Sequence, residues 1–223
     1  ALAVLVYLAK PAIAWWIGTA DHAQAYLASD YAAISQTMGS VVLIALALVL
    51  LLVIMRDTTM EMIARSETDP LSGALNRRGF ETHGDRAVVR ARRTDRPLSL
   101  ITLDLDRFKA INDSFGHAAG DRVIADLAEV LGDAVGSDDL VARLGGEEFA
   151  ILLPGRTTAQ AQALAERMRW AVARDLPVRL DNAPAVTASF GVAELQFGER
   201  LSDLCRRSDL ALYEAKAAGR DTV

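Results

Sequence analysis

A single cysteine, Cys205, stands in 223 residues, which excludes an intramolecular disulfide framework. It lies in an apolar-periodic stretch and is expected to be a small core residue, not a nucleophile. There is no basic run and no basic face, and the net charge is −5, which argues against a protein that grips a nucleic-acid backbone. Charge is also missing from the front of the chain. Up to Met55 the only formally charged side chains are Lys10, Asp21 and Asp30, and every other Asp, Glu, Lys and Arg follows from Arg56 onward. So sharp a break predicts two environments, lipid first and water second.

Within the front part, VVLIALALVLLLVIM (41–55) is uninterrupted apolar. With Met38, Gly39 and Ser40 it reaches about 18 residues, enough to cross a hydrocarbon core of roughly 30 Å. A membrane span is therefore expected over about 38–55. The segment 1–20 is interrupted by Lys10 and Pro11 and reads as a partial span or an interfacial stretch, with Trp15 and Trp16 at headgroup depth. No small-residue cleavage site marks it as a signal peptide. Its start at Ala1, inside an apolar run, suggests a piece of a longer protein. His22 has no companions for a ligand set and reads as a loop residue. Residues 56–68 (RDTTMEMIARSET), with Met60, Ile63 and Ala64 apolar, read as a short helical stalk able to pair with a second copy.

From Asp69 onward helices and strands alternate. Helices are predicted over 76–94, 119–135, 157–174 and 201–218, and strands over 97–105, 140–144, 149–153 and 185–193. Gly145 and Gly146 join two of the strands as a hairpin. The order predicts an α+β sandwich, one sheet with helices packed on it.

Three clusters could carry chemistry. In LDLDRFKAINDSFGHAAGD (103–121), Asp104 and Asp106 share one face of a strand end, a hard-oxygen pair of the kind Mg²⁺ accepts. A polar strand terminus would look the same. In RLGGEEFAILLP (143–154), glycines that let a ligand approach the backbone are followed by Glu147 and Glu148 at the lip of a buried strand. An ordinary turn with solvated acids is the plain alternative. In YEAKAAGRDTV (213–223), Lys216 and Arg220 are four apart at a helix end, where they could neutralise phosphates or merely complement the helix dipole.

Taken together, these residues resemble one family. Asp104, Asp106, Phe108, Lys109, Ile111, Asn112, Asp113, Gly116, His117, Gly120 and Asp121 follow the GGDEF-domain pattern, and 145–149 reads GGEEF, a form of its signature. DPLSGALNRR (69–78) is similar to the opening motif of that domain, and SFGVA (189–193) and AKAAGR (215–220) to its last strand and helix. The resemblance covers 69–223 in the right order. It implies a fold like nucleotidyl cyclases and polymerase palms, an antiparallel sheet surrounded by helices. It implies a diguanylate cyclase that joins two GTP molecules into cyclic di-GMP, with Mg²⁺ or Mn²⁺ held by Asp104, Glu147, Glu148 and the carbonyl of Leu105. Asp104, Glu147 and Glu148 would be the catalytic acids. Asn112 and Asp121 would read the guanine edge, and Phe108, Lys109, Lys216 and Arg220 would surround the phosphates. Gly145 and Gly146 would let the chain pass close to the nucleotide. One GTP per domain makes a homodimer a requirement of the reaction.

The expected span over 38–55, taken with this resemblance, leads to an enzyme anchored in the bacterial inner membrane with its catalytic domain in the cytoplasm. Two positions depart from the pattern. Relatives carry Arg-x-x-Asp before the signature, an inhibitory product site; here Asp139 is kept but Gly136 replaces the arginine, so inhibition through that site is expected to be absent. Ala74 stands where leucine is commoner, a packing change. The alternatives are a degenerate domain that binds nucleotide and signals by contact, a cyclase with a mixed product, and a structural membrane adaptor.

Overall fold

The computed structural model describes residues 2–17, 30–65, 67–179 and 186–223. His22 lies outside the described residues, as does Ala185, the predicted start of the last strand. The chain forms two compact units, Ala1–Arg65 and Ser66–Val223.

In the first unit, α1 (Leu2–Ile17) runs straight through Lys10 and Pro11, and Trp15 and Trp16 lie exposed on it. Helix α2 (Asp30–Arg65) is continuous. Within it Ala32–Met55, 24 residues, is long and apolar enough to cross a membrane, and Leu46 to Met55 lie exposed. Residues 56–65 of the predicted stalk continue the same helix, whereas Thr68, its predicted last residue, bridges Leu75 in the second unit.

The second unit holds α3 (Arg77–Thr94), β1 (Leu98–Leu105), α4 (Phe108–Phe115), α5 (His117–Ala134), β2 (Leu140–Gly145), β3 (Glu148–Pro154), α6 (Thr158–Arg179), β4 (Ala188–Glu194) and α7 (Leu201–Ala217). The strands form one antiparallel sheet in the order β2-β3-β1-β4. This is the antiparallel sheet surrounded by helices that the resemblance implied. All eight residues of β1 are buried, because helices cover both faces of this central strand. On one face Ile101, Leu103 and Leu105 join Leu127 and Leu131 of α5 and Leu164 and Met168 of α6. On the other, Leu98 and Leu100 join Phe80 and Val88 of α3 and Leu201 and Leu204 of α7. Each fully buried leucine contributes about 2 kcal/mol by transfer from water. Cys205 is half-buried against this second cluster rather than inside it, and burial pushes its thiol up to about 11, as suits an inert thiol.

Local chemistry explains two of the helix boundaries. Asn76 caps α3: its side chain accepts the Gly79 N–H at 2.9 Å. Gly116, with φ of 81°, divides α4 from α5. Sequence periodicity does not pick out α4 as a separate element. Its eight residues are too few for a clear helical period, and it is held by packing on α5. Helix α6 runs to Arg179, five residues past its predicted end. On β4, Gly191 lets α7 approach closely; a β-carbon there would stand 2.2 Å from the Ser208 carbonyl oxygen and 2.3 Å from the Leu212 nitrogen.

Candidate active site

Strand β1 carries Asp104 next to its C-terminal end, between β3 and β4. Its register sets Asp104 opposite Glu148 on β3 and Ser189 on β4, so the two acids share a face of neighbouring strands. Asp104 is 8% exposed, whereas Glu148 is exposed and Glu147 half-buried in the turn. The last turn of α7 brings Lys216, whose Nζ stands 2.9 Å from Asp104 Oδ1. Leu105 puts its side chain in the core and can offer a ligand only its carbonyl.

The second acid of the D-x-D pair is used differently. Asp106 lies just past the strand end, and its carboxylate accepts the Ser189 hydroxyl at 2.7 Å, the Thr187 hydroxyl at 2.7 Å and the Asp221 N–H at 3.0 Å. All of its partners belong to the protein. It therefore ties the end of β1 to the start of β4 and to the C-terminal tail. Shared strand parity could not reveal this, because the hydroxyls come from residues more than eighty positions away.

The tail held by Asp106 carries Arg220. Helix α7 ends at Ala217, and Arg220 sits beyond it with φ of 67°, so the helical four-residue spacing to Lys216 does not apply. Asp221 is further held by Arg169 at 2.8 Å, and the Phe190 N–H donates to the Thr222 carbonyl. Arg220 and Arg107 line a cavity of about 320 Å³ beside Ile111 and Ser114 of α4.

The Gly145–Gly146 turn is gripped from both sides. Arg77 donates to the Leu144 carbonyl at 3.2 and 2.9 Å, and Arg143 donates to the Gly146 carbonyl at 2.9 Å. Gly146, with φ of 50°, adopts the left-handed conformation that the turn requires. Arg143 also pairs with Asp69 Oδ1 at 2.9 Å, and Asp69 accepts the Ser72 N–H and hydroxyl. Burial pushes the Asp69 carboxyl up, but the Ser72 and Arg143 hydrogen bonds together outweigh it and hold the group below its ordinary range. The segment DPLSGALNRR is thus a brace for the signature turn. The sequence alone assigns no role to Arg77, Arg143 or Asp69; the only hint is an arginine two places before the glycines.

Beside the turn, α3 and α7 enclose a cavity of about 600 Å³ lined by Arg77, Phe80, Leu144, Cys205 and Asp209. Burial raises the Asp209 carboxyl, with Arg77 opposing. This cavity contains none of the signature acids. The remaining predicted residues lie on α4 and α5. Phe108 and Asn112 are half-buried one turn apart on α4, while Lys109 and Asp121 are exposed. Asp139, the retained acid of the Arg-x-x-Asp position, accepts the Gly136 N–H and the Arg156 guanidinium, both at 2.8 Å.

Comparison with known proteins agrees with this arrangement. The chain is 41% identical over 157 residues to the diguanylate cyclase DgcP of Pseudomonas aeruginosa, a match covering 70% of this chain and 23% of that protein. This chain therefore spans less than a quarter of the length of that curated relative. The crystal structure of the GGDEF domain of DgcB from Caulobacter crescentus, in complex with cyclic di-GMP, superposes with a TM-score of 0.67 at 38% identity, covering 70% of this chain and 91% of that one. The active GGEEF domain of a diguanylate cyclase from Vibrio cholerae superposes with a TM-score of 0.63 at 39% identity, covering 66% and 94%. The family described as diguanylate cyclase, GGDEF domain, matches residues 66–222, and the chain belongs to that family.

Proposed function

We propose that this chain is a membrane-anchored diguanylate cyclase condensing two GTP molecules into cyclic di-GMP with release of two pyrophosphates. The observation that carries the reading is the cross-strand register of Asp104 with Glu148, with Lys216 at 2.9 Å from Asp104. The 3′-hydroxyl of one GTP attacks the α-phosphorus of another, the bond to pyrophosphate breaks, and the reverse attack closes the ring.

The donor set suits a divalent cation. Asp104, Glu147 and Glu148 with the Leu105 carbonyl would hold Mg²⁺ or Mn²⁺, hard ions that take few protein carboxylates and complete their shell with phosphate and water. Among the described residues no group of three or more metal-binding side chains lies close together. When bound, the metal supplies Lewis-acid stabilisation of charge on the reacting oxygens. Lys216 and Arg220 offset the charge that builds on the leaving pyrophosphate. Phe108 and Lys109 flank the phosphates, and Asn112 and Asp121 hold the guanine. An ionised Asp121 only accepts hydrogen bonds, which matches the adjacent N1–H and 2-amino donors of guanine and not adenine.

Because each domain holds one GTP, two copies must present their sites to each other. Residues 1–55 form the membrane region, 56–68 the stalk that governs pairing, and 69–223 the catalytic domain. Ala32–Met55 supports anchoring in the bacterial inner membrane, with the catalytic domain in the cytoplasm where GTP is. At the Arg-x-x-Asp position Gly136 offers no guanidinium and Asp139 is engaged by Arg156, which supports the absence of product inhibition there.

The test is chromatography of product from the full chain in detergent, incubated with GTP and Mg²⁺. Cyclic di-GMP is expected, unaffected by added micromolar product, and lost in Glu148→Ala. A folded chain that binds GTP and makes no product would favour the degenerate signalling domain instead.

A further inference from the structure

Helices α4 and α5 meet at Gly120, and nothing in the backbone there calls for glycine. Its φ lies outside the left-handed region, so any residue could adopt its conformation. Inside a helix glycine costs about 1 kcal/mol relative to alanine. What the position lacks is room. A β-carbon at Gly120 would stand 1.9 Å from Asn112 Oδ1, 2.9 Å from Asn112 Cγ and 3.1 Å from Phe108 Cζ. Phe108 and Asn112 are four apart on α4 and so share one face. The missing side chain makes a notch in α5 that seats the Asn112 carboxamide at the residue next to Asp121.

We infer that Gly120 is a positioning residue for base recognition: by its notch it fixes where the Asn112 carboxamide sits and thereby sets selectivity for guanine. The inference rests on the reading that Asn112 and Asp121 hold the guanine edge. The kind of contact decides the kind of effect. The nearest neighbour of a new β-carbon is the end of a short side chain, not backbone, so the carboxamide swings away while the helices stay in place. Gly120→Ala therefore misplaces a recognition group and also gains helix propensity. A purely structural glycine would do the reverse and lose stability first.

The experiment is calorimetric titration of the full chain in detergent with GTP and with ATP, for the parent, Gly120→Ala, Asn112→Ala and the double variant, with melting temperatures alongside. Loss of a well-made hydrogen bond to the base corresponds to roughly tenfold or more in affinity. Gly120→Ala is expected to weaken GTP by that factor, to leave ATP affinity unchanged, and to melt at or above the parent temperature. The double variant is expected to be no weaker than Asn112→Ala, because both changes remove the same contact. Parental GTP affinity in Gly120→Ala, with Asn112→Ala impaired, would overturn the inference and leave the guanine reading standing. Additive losses, or a melting temperature well below the parent, would also overturn it. Parental affinity in Asn112→Ala would remove the guanine reading itself, and the inference with it.

Discussion

At the scale of single residues, the site depends on acids that do different jobs under similar sequence. Asp104 faces Glu148 and Lys216, whereas Asp106, two places on, is consumed by two hydroxyls and a backbone N–H. Asp69 likewise serves the signature turn through Arg143. Because the folded Asp69 carboxyl lies below its ordinary value of 3.8, the unfolded chain binds more protons in that interval. Its stabilisation is complete above 3.8 and is lost as pH falls through the lowered folded value. Asp69→Asn is expected to lower stability by about 1 to 2 kcal/mol at pH 7, with the gap closing in strong acid. Urea midpoints at both pH values would check this, and a gap of equal size at both would refute it. The D-x-D spacing is legible in the sequence, but the division of labour is not, since it depends on which strand and which tail the fold brings alongside.

Among elements, the decisive contact is α7 on β4. Gly191 is pressed against backbone atoms of α7, which cannot rotate away as a side chain can. Gly191→Ala should therefore cost about 3 kcal/mol by overpacking. Gly132, in α5, serves as the contrast, because a β-carbon added there would meet nothing within 4 Å. Gly132→Ala should be neutral or stabilise by up to about 1 kcal/mol through helix propensity. Denaturant midpoints for the two variants should move apart; movement of both in the same direction would refute the contact. The strands and long helices can be read from period and composition, because burial of one face imposes that period. Helix α4 and the tail after Ala217 cannot. The first is too short to show a period, and the second is shaped by Asp106, Arg169 and two left-handed residues, Arg220 and Asp221.

For the whole molecule, the prediction concerns lipid. With Ala32–Met55 continuous and apolar, the full chain is expected to stay with pelleted membranes through alkaline carbonate extraction. Release into the supernatant would remove the membrane anchor. By itself the sequence determined the split between apolar front and charged remainder, the alternation of helices and strands around one sheet, and the motifs that carry the family. Those follow from local composition, period and ordered motifs, which need no knowledge of distant contacts. Only the tertiary structure decided that Asp106 holds the tail, that Arg77 and Arg143 grip the turn, that Asp139 is taken by Arg156 and that Gly120 seats Asn112. Each of these joins elements separated in the chain, and a hydrogen bond or a close approach between them exists only once the fold has set their register.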